Sequence, residues 1–150
     1  MLTDLLLAIA HHLLVFSLVA VLVMEIMLVR PGMTTAQILR IGRIDMIYGA
    51  IAGLIVVIGF SRVFFGAKPA DFYLTSSSFW AKIAAFVLIG ILSAPPTLRI
   101  IRWRNAAAKD PAYRPSDAEV ASVRRLMHWE AIVIIPILIF AAMMARGYAL

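Results

Sequence analysis

The chain contains no cysteine and few charged residues, which make up 15 % of its 150 positions. The lack of thiols excludes disulfide bonds, iron–sulfur clusters and cysteine nucleophiles. No P-loop, GxSxG, HExxH or dinucleotide-binding pattern occurs, so the sequence gives no support to a hydrolase, a zinc protease or a nucleotide-driven protein. Hydrophobic residues, in contrast, make up 63 % of the chain, well above the roughly 45–50 % of soluble domains.

Four long apolar runs occupy most of the sequence, and each supplies close to the ~20 residues with which a helix crosses a hydrocarbon layer of ~30 Å. We predict one domain over residues 1–150, with spans at about 3–29, 35–65, 78–102 and 117–146. The spans must be helical, because backbone groups in lipid need partners within their own segment. Since the connections are short, the predicted fold class is all-α: an integral membrane four-helix up-down bundle.

Local signals mark the ends and contacts of these helices. Capping-box spacing occurs where the second and fourth helices begin, at Thr34 with Gln37 and at Ser116 with Glu119. Ser78 is the candidate cap of the third helix. Bends are expected at the prolines within spans, which are Pro95, Pro96 and Pro136. Gly49 and Gly53 either form a small-residue strip for close helix contact or fall four residues apart by chance.

The basic residues divide unequally between the two sides of the predicted bundle. Ten flank the first and third connections, and four lie on the other side, at Arg62, Lys68, Lys82 and Arg146. The positive-inside rule places the arginine-rich connections in the cytoplasm and both termini outside. This topology accounts for the net charge of +6, so nucleic acid is not expected as a partner.

Four ionisable side chains lie near the predicted outer face: His11 and His12 in span 1, Arg62 at the end of span 2 and Lys82 early in span 3. Ionisable residues inside spans are costly and are candidates for functional sites. Imidazole is a good axial ligand of haem iron, and two cations at one level can bind the two propionates. We therefore predict a site for haem b, with His12 as the first choice of iron ligand and His11 as the second. Alternatively, the histidines bond to a loop and the two cations reach the interface by snorkelling.

A second group lies near the predicted inner face and contains Glu25, Arg43, Asp45 and Glu130. Glu25 follows His11 by fourteen residues, which places the two within ~40° on one face of span 1. This group is either an ion-pair lock between helices, with Arg43 and Arg99 as its cations, or a proton-relay or quinone-headgroup site. His128 lies on the order of 20 Å from the outer histidines along the membrane normal, so a haem bridging spans 1 and 4 is not expected.

Several short pieces occur in order along nearly the whole chain: His11-His12, Glu25, Leu28–Gly32, Arg43–Gly49, Arg62–Gly66, Phe79–Lys82, Pro96-Thr97, Trp103-Arg104 and Met144–Tyr148. Together they resemble the DUF2214 family of small bacterial membrane proteins. The resemblance implies four helices in the bacterial inner membrane. With the orientation given by the basic residues, both termini are then expected to be periplasmic. It implies no function.

A looser similarity is to HemJ-type protoporphyrinogen oxidases and CopD-like membrane proteins. The HemJ-type proteins bind haem b through a first-span histidine, to which His11 or His12 would correspond, and Trp80-Ala81-Lys82 resembles an aromatic-x-Lys element of their third span. Their fourth-span Arg and Asn-Glu-Pro element would fall at Arg125–Ala131, where only the glutamate matches. The similarity implies haem binding more than oxidase activity.

The sequence thus predicts an inner-membrane protein that binds haem b or a porphyrin in its outer half and supports electron transfer, with Glu25 and Glu130 handling protons. The alternative is an accessory or structural subunit of a larger membrane complex, without chemistry of its own. The lipid bilayer is the partner in both cases, while a quinone, other membrane subunits and a homo-oligomer stay open. Whether the chain is an enzyme is undecided.

Overall fold

The computed structural model describes residues 2–65, 71 and 74–146. Four long helices follow one another there: α1 (Leu2–Leu28), α2 (Thr35–Phe65), α3 (Ser77–Lys109) and α4 (Asp117–Ala145). All four are long and apolar enough to cross a membrane, and these described ranges contain no strand. The predicted all-α membrane fold is therefore confirmed. Lys68, and the residues Gly147 and Tyr148 of the tail motif, fall outside the described residues.

Both predicted capping boxes are present. The Thr34 N–H donates to Gln37 Oε1 at 2.9 Å, and the Gln37 N–H donates to Thr34 Oγ1 at 3.4 Å. Ser116 and Glu119 make the equivalent pair of bonds at the start of α4, at 3.2 and 3.3 Å. Each box satisfies two of the N–H groups that a helix start leaves without intrahelical partners.

Helix α3 differs from its predicted bounds at both ends. Its N-cap is Ser76, whose hydroxyl accepts from the Phe79 N–H at 3.4 Å, and the prediction of Ser78 was wrong because Ser78 is buried inside the helix. The helix also continues to Lys109, seven residues beyond the predicted end. The extra turns contain the run Ala106–Ala108, and alanine is the strongest helix former. The helical backbone runs through the prolines of α3 and α4 without ending there.

The helices pack in a ring. Helix α1 packs on α2 and α4, and α3 also packs on α2 and α4, whereas neither diagonal pair packs together within the described ranges. The early part of α1 lies beside the late part of α2, where His11 contacts Gly59, so consecutive helices run antiparallel. This is the predicted up-down order. We call the end with the connections 29–34 and 110–116 the arginine-rich end, and the opposite end the terminal end.

Tight packing is concentrated at the arginine-rich end. The fully buried apolar side chains all lie in that half: Leu22, Val29, Met33, Ile38, Ile41, Ile100, Trp103, Val120, Val123 and Met127. Helix α3, with 33 residues, is about 50 Å long, so it extends well beyond a ~30 Å hydrocarbon layer. Outside lipid, water drives apolar side chains together, whereas between helices inside lipid this force is missing. The physical setting therefore favours a closed core at this end and looser packing in the other half.

The outer surface of the bundle is apolar. Phe16 is 70 % exposed, Val57 61 % and Ile91 64 %, and each lies in a candidate span. Gly49 and Gly53 also face outward, and a Cβ added to either would meet nothing within 4 Å. Their strip is therefore not used for contact between helices of this chain, and the surface is suited to lipid.

Candidate functional site

A cavity of about 410 Å³ lies among all four helices, in the half of the bundle next to the terminal end. This volume falls within the range of small-molecule sites, roughly 300–1,000 Å³. Among the described residues, only His11 and Lys82 bring polar side chains to its wall. Val56, Val87 and Leu138 line the cavity and are also exposed on the surface, so the cavity opens toward the lipid. It can admit an apolar molecule from within the membrane.

His11 projects from α1 into the wall of this cavity. A Cβ added to Gly59 of α2 would lie 3.5 Å from His11 Cε1 and 3.8 Å from Nδ1, so the ring packs against the bare glycine backbone. His11 Nδ1 is buried and has no hydrogen-bond partner in the part of the chain described. Buried polar atoms in proteins are nearly always paired, and an unpaired one points to a ligand, a water or a stored cost.

His12 has a different environment. It is exposed, and its Nδ1 lies 2.6 Å from the carbonyl oxygen of Ala8 in the same helix. The two imidazole rings are 6.3 Å apart and nearly perpendicular. Successive residues on a helix diverge by about 100°, so only one of two adjacent histidines can face the interior. The structure places His11 at the cavity and His12 outside it, the reverse of the order in which the sequence analysis ranked them.

The two predicted cations lie close to His11. Lys82 lines the cavity, and its Nζ is 5.3 Å from the centroid of the Phe79 ring, within cation–π range. Arg62 is half-buried, and its Nε is buried without a hydrogen-bond partner among the described residues. Both charges act electrostatically on His11. Three of the four residues predicted for the outer site therefore converge beside the terminal end of the cavity.

A second polar group occupies the other half of the bundle. Glu25 of α1, Asp45 of α2 and Glu130 of α4 are 2, 5 and 1 % exposed, and their carboxyl groups are near enough to interact electrostatically. We call these three residues the carboxyl cluster. Glu130 Oε2 accepts a 3.1 Å bond from the Tyr48 hydroxyl, and Asp45 Oδ1 accepts a 2.8 Å bond from the Thr97 hydroxyl. The remaining Oε1 atoms of Glu25 and Glu130 are buried and have no partner within the described ranges.

The arginines predicted to neutralise this cluster have other surroundings. Arg43 is exposed, and Arg99 donates a 2.6 Å bond to Ser122 Oγ. Arg104 of α3 comes closest, since its charge acts on Asp45 while its side chain crosses Gly42 and donates to Met46 Sδ at 3.4 Å. The structure thus brings together the three predicted carboxyl groups and leaves Arg43 outside. His128 is exposed and bonds to Arg124 O within its own helix, at 2.6 Å.

Sequence reasoning missed the two hydroxyl partners of the cluster. Tyr48 follows Asp45 by three residues on α2, a spacing that places both on one helix face. That spacing could have identified Tyr48 as part of the cluster, because a tyrosine hydroxyl beside a carboxyl group within a span needs a hydrogen-bond partner. Thr97 offered no such signal, because its pairing with Asp45 depends on how α2 and α3 pack.

Arg124 was also missed, having been counted only for topology. Its guanidinium donates to the carbonyl oxygens of Ile26, at 2.7 Å, and Val29. The last four carbonyls of a helix lack intrahelical donors, and a cation near them also complements the helix dipole. Helix α1 has no basic residue in its own last turn, so α4 provides the missing charge.

These features define a multi-pass membrane protein of the four-helix class, with an apolar cavity in one half and a carboxyl cluster in the other. The family model described as predicted membrane protein (DUF2214) matches residues 3–149, so the chain belongs to the DUF2214 family. The family predicted from the sequence is thereby confirmed. No curated protein and no solved structure matches the chain. The similarity to HemJ-type oxidases therefore gains no support from these comparisons.

Proposed function

We propose that the chain binds haem b or a related porphyrin in the cavity and serves electron transfer in the bacterial inner membrane. The observation that carries the proposal is the buried, unpartnered ring nitrogen of His11 in the wall of an otherwise apolar cavity. Apolar walls suit a flat hydrophobic macrocycle, and imidazole is an established axial ligand of haem iron. The bound haem would supply one-electron redox chemistry.

Different residues around the cavity would bind different parts of such a cofactor. His11 would bind the iron, and Lys82 in the cavity wall and Arg62, whose charge acts on His11, would bind the propionates. Gly59 leaves room beside the His11 ring that a larger side chain would fill. His12 is exposed and bonded to its own helix. We therefore assign His11, in place of His12, as the iron ligand.

Absorption spectroscopy tests this assignment directly. The protein is expressed with an adequate haem supply, purified in detergent, and compared with His11→Ala and His12→Ala. We expect a Soret band in the wild type and in His12→Ala, and its loss in His11→Ala. A colourless wild type overturns the proposal, as does loss of the band in His12→Ala alone. Circular dichroism and gel filtration of each variant show whether it is folded.

The same preparation separates the alternative function, an accessory subunit without chemistry. After gentle solubilisation, a native gel with mass spectrometry reports whether the chain migrates alone or within a larger complex. Co-migration with a large complex and no pigment supports the subunit. A pigmented chain that migrates alone supports the cofactor-binding function.

We further infer that the arginine-rich end faces the cytoplasm and that both termini are periplasmic. Ten of the fourteen basic residues lie at that end. An excess of Lys and Arg in short connections marks the cytoplasmic side and sets the orientation of a membrane protein. A reporter active only in the periplasm, fused after Arg146, is expected to be active, and the same reporter inserted between Asp110 and Ser116 is expected to be silent. The opposite pattern overturns the orientation.

A further inference from the structure

The carboxyl cluster contains two oxygen atoms that the fold leaves without partners. Glu25 is 2 % exposed and Glu130 is 1 % exposed, and in each the Oε1 atom is buried and makes no hydrogen bond with any described residue. An unpaired carboxylate oxygen in an apolar interior is among the costliest arrangements in a protein. Two such oxygen atoms in one cluster indicate that a ligand binds there.

The groups that act on these two glutamates, besides each other, come from helix α2: Asp45 acts on both, and Tyr48 bonds to Glu130. Thr97 and Arg104 of helix α3 act on Asp45. Asp45 has its own compensation, a hydrogen bond from Thr97 and the nearby charge of Arg104. Tyr48 gives Glu130 one hydrogen bond but no charge.

Glu25 and Glu130 are therefore the uncompensated members of the cluster. Two adjacent negative charges in a region of low dielectric repel each other strongly, and neither has a cation within bonding range among the described residues. In the part of the chain described, no group of three or more His, Asp or Glu side chains is arranged to hold a metal ion. A metal ion would need more ligating side chains than these two glutamates have around them. The ligand that fits two unpaired carboxyl oxygens is therefore a proton.

We infer that Glu25 and Glu130 form a proton-binding site inside the bundle, with Tyr48 as a positioning residue that fixes Glu130. Ionisable groups at membrane depth commonly act as proton carriers in membrane proteins. The site lies in the opposite half of the bundle from His11 and does not depend on the ligand of the cavity. It stands whether or not the cavity binds a porphyrin.

Infrared difference spectroscopy on the full chain tests the site. In nanodiscs of phosphatidylcholine and phosphatidylglycerol, the protonated carboxyl C=O stretch is separate from the carboxylate bands and shifts in D₂O. We expect this band in the wild type at neutral pH and its decrease in both Glu25→Gln and Glu130→Gln. Asp117→Asn, which changes an exposed carboxyl group of α4, is the matched control and is expected to leave it unchanged. A wild type without the band, or a band that both glutamine variants retain, overturns the inference.

Thermal stability gives a second, independent measurement. Glutamine has nearly the shape and charge of a protonated glutamate, so Glu25→Gln and Glu130→Gln are expected to melt at or above the wild-type temperature at neutral pH. If the folded protein holds protons that the unfolded chain releases, stability falls as pH rises, because the unfolded state binds fewer protons. This slope is expected to flatten in the double glutamine variant. Melting temperatures that drop in the glutamine variants, or that rise in the wild type with Na⁺ or K⁺, would make the ligand a cation and overturn the proton site.

The haem proposal is assessed separately in these samples by the Soret band. A colourless protein with the carboxyl band would support the proton site and overturn the porphyrin proposal. A pigmented protein without the carboxyl band would support the porphyrin proposal and overturn the proton site.

Discussion

The Tyr48 hydroxyl donates a 3.1 Å hydrogen bond to Glu130 Oε2 and so joins helices α2 and α4 across the diagonal of the bundle. These two helices do not otherwise pack on each other within the described ranges. Ile134, one helical turn beyond Glu130, lines the cavity. The bond therefore lies about one helical turn from the cavity, where the closed, arginine-rich half meets the open half.

Replacing Tyr48 with phenylalanine removes the donor and keeps the ring. We expect a loss of about 1–3 kcal/mol in the free energy of unfolding, because Glu130 then has no partner for either carboxyl oxygen. Thermal or denaturant unfolding in detergent measures it. In Glu130→Leu, which has no acceptor for the Tyr48 hydroxyl, the same Tyr48→Phe change is expected to cost less, and equal costs in the two backgrounds would contradict a direct interaction between the residues.

Arg124→Ala is expected to destabilise the bundle by about 1–3 kcal/mol. It leaves the carbonyl groups of Ile26 and Val29 without their cationic donor at the end of α1. Arg125→Ala is the matched control, since Arg125 is exposed on the next position of α4 and should change stability by no more than about 0.5 kcal/mol. Equal effects of the two substitutions in a melting experiment would contradict the capping role of Arg124.

The fold was predictable from the sequence because lipid imposes a strong and simple constraint. Apolar runs of span length must be helices, so the number, type and order of the elements follow from hydropathy and short connections. The capping boxes at Thr34 and Ser116 were equally readable, because each depends on residues three apart in one segment. Ser78 was mistaken for a cap because three serines, at positions 76 to 78, offer the same chemistry and local sequence does not rank them.

The site was less predictable because it depends on how helices rotate about their axes. His11 and His12 are adjacent and chemically identical in sequence, and only the packing of α1 against Gly59 distinguishes them. The pairing of Asp45 with Thr97 has the same origin, since it is set by contact between two helices. The level of each ionisable residue in the membrane followed from its position in the span, whereas its direction did not.

Two glycines of α2 are expected to respond differently to alanine. Gly49→Ala should stabilise the protein by up to about 1 kcal/mol, because alanine is the better helix former and nothing lies within 4 Å of the added Cβ. At Gly42 the added Cβ would be 2.8 Å from Arg104 Cδ, so Arg104 must shift and the gain should be reduced or reversed. Melting temperatures of the two variants in one detergent compare them. A larger stabilisation from Gly42→Ala would contradict the contact with Arg104.

Filling the cavity offers a test of the cofactor site that leaves every polar residue in place. In Gly59→Leu the added Cβ starts 3.5 Å from His11 Cε1, an ordinary contact, and because Gly59 lines the cavity we expect the rest of the side chain to take up cavity space beside His11. We expect the helix to tolerate the change, because leucine has a higher helix propensity than glycine by several tenths of a kcal/mol. Soret absorbance per mole of protein should fall at least tenfold, with melting behaviour close to the wild type. Gly49→Leu, on the outward face of the same helix, is the matched control and should keep the pigment. Undiminished absorbance in Gly59→Leu would mean that the porphyrin binds elsewhere and that the His11 nitrogen has another partner.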